Sequence, residues 1–295
     1  MRRYLEAFFE EFDYPMQARE ALMSAYDAMS AHPGAKAKLN ALIEEYRADI
    51  NCNFAYLLEG AQECGGEAGV HEYTAKLLLC ICLSGRLREH FVGNGLGADL
   101  WRDAMYDLRY KLMECRLVYG IWGSFVSAWF DRFFNATRFA LGRLQFETIP
   151  FGTEYVRDGL HLLPDSMVIN VHIPRTGEGL NAEAVRDSYR RAAAFFREKY
   201  GMKQIVFVCS SWLLYPKNLE VLSEESNIRR FASDYTLGQW GEYADYSEVW
   251  RLFDANYTGN VELLPQDTSL RCAYANWIRT GVKTGWGRRI YVYEG

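Results

Sequence analysis

Apolar positions in the first 140 or so residues recur at helical spacing. Leu5, Phe8, Phe9 and Phe12 form one stripe. Leu39, Leu42, Ile43 and Tyr46 form a second, and Trp101, Met105, Leu108 and Leu112 a third. Apolar residues three and four apart share one face of a helix, so these stripes predict amphipathic helices packed into a bundle. Pro15, His32-Pro33-Gly34, Gly65-Gly66 and Gly93-Asn94-Gly95 are the expected breaks.

The rhythm changes near Leu141. Arg143-Leu144-Gln145-Phe146-Glu147-Thr148 alternates polar and apolar, as a half-buried strand does. Pro150, Gly152, Asp158-Gly159 and Pro164-Asp165 mark a turn-rich stretch after it. Two nearly continuous apolar strands come next, 167–173 and 204–209, separated by an amphipathic helix over 181–199 that buries Val185, Tyr189, Ala192 and Phe196. Strand, helix and strand, with both strands apolar on both faces, predicts parallel pairing with helices covering the sheet. Further on, helices are expected at 216–232, 247–253 and 268–279, and strands at 234–240 and 288–293. The expectation is a helical N-terminal domain, 1–140, and a mixed α/β domain, 141–295, with no Pro/Gly/Ser spacer between them.

Composition narrows the class. The chain has 295 residues, 49% hydrophobic and 24% charged, which is ordinary for a soluble globular protein. Its net charge of -5 and the lack of a basic stripe argue against a nucleic-acid partner. The N-terminus lacks the uninterrupted apolar core of an export signal, and the most apolar run, 77–83, is too short to span a bilayer, so no membrane partner is expected. Seven cysteines, an odd number without a CxxC pair, point to a reduced, cytoplasmic protein. The cysteines and five histidines show no metal-ligand spacing, so no metal is expected.

Candidate chemistry concentrates between the two apolar strands. Pro174-Arg175-Thr176-Gly177-Glu178-Gly179-Leu180 is a basic, glycine-bearing turn at the head of a helix. Unpaired amides of a first helical turn carry partial positive charge and receive phosphate groups. Gly177 and Gly179 would let the backbone approach an anion, Arg175 would add a cation, and Asn181 suits the N-cap. The turn lacks both a Walker Lys-Ser/Thr and the acid of a dinucleotide fingerprint. On the first strand Asn170 and His172 share a face, and polar groups in an apolar strand need partners or a cleft. At the strand's C-terminal end His172 is a candidate general base. The second strand ends in Cys209-Ser210-Ser211-Trp212-Leu213-Leu214-Tyr215. There Cys209 is a candidate nucleophile with His172 as its base, or an inert core thiol, and Tyr215 a candidate proton donor.

These strings resemble a family. Leu141-Gly142-Arg143-Leu144-Gln145-Phe146-Glu147, Asn170-Val171-His172-Ile173-Pro174, Ser211-Trp212-Leu213-Leu214, Ser226-Asn227-Ile228 and Thr268-Ser269-Leu270 are similar to the C-terminal domain of GNAT-like acyltransferases that carry a helical N-terminal domain. The resemblance implies an α+β fold, the helical domain packed on a GNAT-like mixed β-sheet flanked by helices. It also implies acetyl-CoA or another acyl-CoA as cofactor. Arg175-Thr176-Gly177-Glu178-Gly179 takes the place of that superfamily's pyrophosphate turn and is one residue shorter. Ser210 stands where the family string often has His.

The function so implied is acyl-CoA-dependent N-acyl transfer, directly to the amine of a small-molecule or peptide acceptor. His172, Ser211 and Tyr215 would be catalytic. Ile173, Arg175, Thr176, Gly177, Gly179 and Asn181 would bind CoA, and Asn170, Cys209 and Trp212 would contact substrate. Two alternatives belong to other classes: a non-catalytic acyl-CoA or nucleotide sensor on the same fold, and a Cys209–His172 hydrolase.

Overall fold

A computed structural model describes all residues except Asp158, so the predicted Asp158-Gly159 turn lies partly outside the described residues. The chain forms two compact units, Met1–Phe139 and Ala140–Gly295. The first is helical: α1 (Arg2–Glu11), α2 (Met16–Ala31), α3 (Pro33–Ala48), α4 (Phe54–Glu67), α5 (Glu72–Gly93), α6 (Ala98–Tyr119) and the single turn α7 (Asp131–Phe134). All three predicted stripes face inward; Leu5, Phe12, Tyr46, Met105 and Leu112 are fully buried. The run 77–83 is buried on every side, which makes α5 the bundle's central helix, packed on α2, α3, α4 and α6. No helix among the described residues is long and apolar enough to cross a membrane.

Local chemistry sets the helix ends. The side chains of His32, Asn53 and His71 accept backbone N–H bonds at the heads of α3, α4 and α5, and Pro33 occupies the first turn of α3. One expected break is absent, because α4 runs through Gly65-Gly66. At Gly65 a side chain would meet the Ala75 Cβ at 2.8 Å and the Val70 carbonyl at 2.9 Å, so this glycine serves close packing rather than helix termination.

Strand β1 (Arg138–Leu141) spans the boundary, and the second unit carries β2 (Leu144–Pro150), β3 (Tyr155–Arg157), β4 (Leu160–Leu162) and β5 (Met167–His172). After α8 (Ala182–Tyr200) come β6 (Ile205–Ser211), α9 (Pro216–Val221), α10 (Asn227–Ser233), β7 (Thr236–Glu242), α11 (Trp250–Phe253), α12 (Ser269–Thr280) and β8 (Gly285–Tyr293). The helix expected over 216–232 is thus two helices. Six strands form one mixed sheet in the order β1-β2-β5-β6-β8-β7, and only β5 and β6 run parallel among the pairings described. The turn-rich stretch holds a separate hairpin, β3–β4, that its composition does not announce.

The sheet's two faces differ in what they bury. On one, Phe207, Tyr291 and Phe146 pack with Tyr189 of α8 and with Phe231 and Tyr235 beyond it. On the other, Val168, Val206, Val208 and Ile290 pack with Leu160 and Leu162 of the hairpin. A hairpin therefore covers apolar sheet surface where the strand pattern alone suggests a helix.

Candidate active site

Beyond that second apolar cluster, toward the C-terminal ends of β5 and β6, the same face turns polar. The antiparallel register places Glu147 opposite Asn170 and Gln145 opposite His172. Side chains alternate along a strand, so all four share one face. Glu147 is 4% exposed and Gln145 2%. The alternation in 143–148 is real, but its polar side is buried against this cluster instead of facing water.

The His172 Nε2 lies 2.7 Å from the Glu147 Oε1, and the Asn170 side-chain amide donates to the same oxygen at 3.1 Å. Asn170 Nδ2 also lies 3.1 Å from His172 Nε2. An amide NH2 donates only, so Glu147 fixes the orientation of Asn170. A carboxylate only accepts, so the 2.7 Å contact has Nε2–H donating to Glu147. The Asn170 Nδ2 approach to Nε2 is then a contact and not a hydrogen bond, and Nδ1 is the basic nitrogen of that neutral tautomer. The buried carboxylate orients the imidazole.

The strands part at this point. β5 and β6 pair at Ile169–Phe207 and Asn170–Val208, two positions that fall short of either strand's C-terminal end. His172 and Ser210 lie one step past the last inward-facing pair, on the same face, and Ser210 is exposed. The ladder between the parallel strands opens there into a gap, and the Pro174–Leu180 turn follows β5 one residue later.

In that turn Gly177 has φ of 87°, a conformation suited to glycine, and a side chain there would meet nothing within 4 Å. Thr176 N–H bonds to the Pro174 carbonyl and Glu178 N–H to the Thr176 hydroxyl, both at 3.1 Å. Asn181 caps α8, accepting from Ala184 N–H at 2.9 Å. Arg175 is bonded to Asp254, which also binds Arg271 at 2.9 Å, so its guanidinium is part of an ion-pair network and not a loose cation over the turn. The glycine leaves open space at the exposed turn for an anion to approach the backbone.

Four predicted residues are not brought to His172. Cys209 is 1% exposed on the opposite, aromatic face, and burial pushes its thiol up to about 12. A nucleophile on the far side of the sheet has no access to His172, so the Cys–His hydrolase is excluded. Ser211 shares that parity and accepts from Leu213 N–H at 3.2 Å. Trp212 packs edge-on against Tyr274 of α12, ring centroids 6.2 Å apart. Tyr215 is fully buried, and its hydroxyl donates to Glu242 at 3.1 Å. Glu242 is on β7, three strands from β5 in the sheet order and so roughly 14 Å away by strand spacing. Glu147 is the residue that sequence reasoning missed. Its signal was a charged residue on a strand flanked by apolar ones, a pattern shared with any surface strand.

A mixed sheet whose central parallel strands part beside a glycine-bearing turn is the architecture of GNAT-like acyltransferases. Two family patterns match the sequence: "N-acyltransferase N-terminal domain" over residues 3–136 and "GNAT-like C-terminal domain" over 139–290. The chain belongs to this family of two-part N-acyltransferases.

Among solved structures it resembles a mutant of the acyltransferase orf11* in complex with octanoyl-CoA, with TM-score 0.75 and 21% identity over 97% of this chain and 87% of that one. An acyltransferase in complex with decanoyl-CoA and teicoplanin gives 0.74 and 21% over the same shares. One with decanoyl-CoA alone gives 0.73 and 22% over 97% and 85%. At these identities the likeness is one of fold. No curated protein matches the chain in sequence.

Proposed function

We propose that the enzyme transfers a medium-chain acyl group from CoA to an amine, with His172 as the proton-transfer residue. The observation that carries this reading is the 2.7 Å contact between His172 and the buried Glu147 at the mouth of the β5–β6 gap. Acyl-CoA supplies the thioester: the acyl carbon exchanges a C–S bond for a C–N bond, and one proton passes from the amine to sulfur. His172 Nδ1 is the site for that proton, and Glu147 balances the charge it brings. With Ser211 and Tyr215 engaged elsewhere, His172 both takes the proton and returns it to the departing sulfur. Backbone amides along the end of β5, including that of Ile173, hold the pantetheine arm, while Thr176, Gly177, Gly179 and Asn181 border the pyrophosphate. Octanoyl- and decanoyl-CoA in the solved relatives support the chain length, and teicoplanin supports an amine on a peptide-like acceptor.

Incubation with octanoyl-CoA and a panel of amines, peptide-derived ones included, tests the reading by mass spectrometry. An added octanoyl group on an amine, with equimolar free CoA, is the expected result. Tight octanoyl-CoA binding with no amide product from any amine would favour the sensor reading instead.

A further inference from the structure

Arg143 lies in the hairpin turn between β1 and β2, far from the cofactor turn in sequence. In the fold it lies beneath that turn. The residue is 8% exposed, and its guanidinium donates to the Pro174 carbonyl at 2.9 Å and to the Glu178 carbonyl at 3.0 Å. The fork thus spans nearly the whole turn. Hydrogen bonds from a charged donor are among the stronger kind, and the planar fork fixes two acceptors at once. The hairpin is itself pinned. Arg143 N–H bonds to the Ser188 hydroxyl on α8 at 2.7 Å. Gly142, with φ of 76°, approaches so closely that a side chain would lie 2.8 Å from that hydroxyl. Leu-Gly-Arg is therefore a strut from the first half of α8 to the underside of the turn.

A trans peptide points its carbonyl and the following N–H in opposite directions. Drawing the Pro174 and Glu178 carbonyls down to Arg143 turns the N–H groups of Arg175 and Gly179 away from it, toward the exposed side of the turn. We infer that Arg143 is the positioning residue of the CoA site: its guanidinium clamps the carbonyls at both ends of the turn, so that the Gly179 amide faces the pyrophosphate. The inference rests on the acyl-CoA reading. It also explains how a shortened turn, with its Thr176 and Glu178 amides bonded internally, presents a backbone donor to an anion.

The test compares affinity for CoA with affinity for octanoyl-pantetheine, which has no pyrophosphate, by titration calorimetry. Arg143→Gln is expected to weaken CoA by about 10- to 100-fold, the loss of two charge-assisted bonds, and to leave octanoyl-pantetheine unchanged. Arg143→Lys, which keeps the charge but reaches one carbonyl, should recover part of the loss and keeps the test open if the Gln variant does not fold. Equal CoA affinity in wild type and both folded variants would overturn the clamp, and so would an equal loss for both ligands. Wild-type protein that binds neither ligand would instead overturn the acyl-CoA reading itself.

Discussion

The two faces of the six-stranded sheet are built from the same strands and do opposite work. The α8 face is closed by rings: Phe207 lies 5.0 Å from Tyr189 and 6.1 Å from Tyr291, centroid to centroid, and all three join Phe231 and Tyr235 in one aromatic layer. Within the layer Tyr189 donates to Tyr235 at 2.8 Å. The other face is apolar under the β3–β4 hairpin and polar beside it, where Glu147, Asn170 and His172 converge. One face is spent on stability and the other holds a buried carboxylate, which is costly to keep out of water unless it is paired. The difference teaches that the proposed chemistry turns on strand parity. Moving one residue along β5 or β6 exchanges a position on the polar face for one in the aromatic layer.

That contrast breaks first at His172. His172→Ala should lower octanoyl-CoA turnover with a responsive amine by about 10²- to 10⁴-fold while the thermal shift given by CoA persists. A loss under tenfold would remove His172 from the chemistry. The matching cut on the other face is Phe207→Ala. Removing a fully buried ring should cost roughly 3–5 kcal/mol in denaturant unfolding yet leave turnover per folded molecule near wild type. Turnover that fell with stability held would mean that the aromatic face takes part in the reaction. Glu147→Gln comes next. It keeps an acceptor for the His172 ring but removes the charge that balances a protonated imidazole. A fall of about 10- to 100-fold in turnover is expected, with CoA affinity intact.

Those residues were not equally legible in the sequence. Helical stripes such as Leu5-Phe8-Phe9-Phe12 could be read because a 3.6-residue period leaves little choice of face. Asn170 and His172 could be read because polar groups stand out in an apolar strand. Glu147 could not, since alternation gives the same pattern whether the polar side meets water or a buried histidine. Ser211 and Tyr215 were misplaced for a related reason. Which serine of β6 shares a face with His172 depends on the β5–β6 register, and the pairing of Asn170 with Val208 selects Ser210. Arg143 was invisible as a site residue because its partners are 31 and 35 positions away.

The smallest effect is expected where parity isolates a reactive residue. Cys209 is one position from Ser210, but its thiol lies under the aromatic layer, and burial raises it to about 12. The nucleophile in alkylation is the thiolate, and a raised thiol releases it only as pH climbs toward that value. At pH 8 almost no Cys209 is ionised, and its burial bars the reagent as well. Iodoacetamide at that pH should therefore label exposed Cys272 quickly and Cys209 only on unfolding, as peptide mass mapping would show. Cys209→Ala should leave turnover within about twofold and cost on the order of 1 kcal/mol in stability. Fast labelling of Cys209 in folded protein, or loss of turnover in the variant, would place its thiol in reach of the gap and erase the distinction between the two faces.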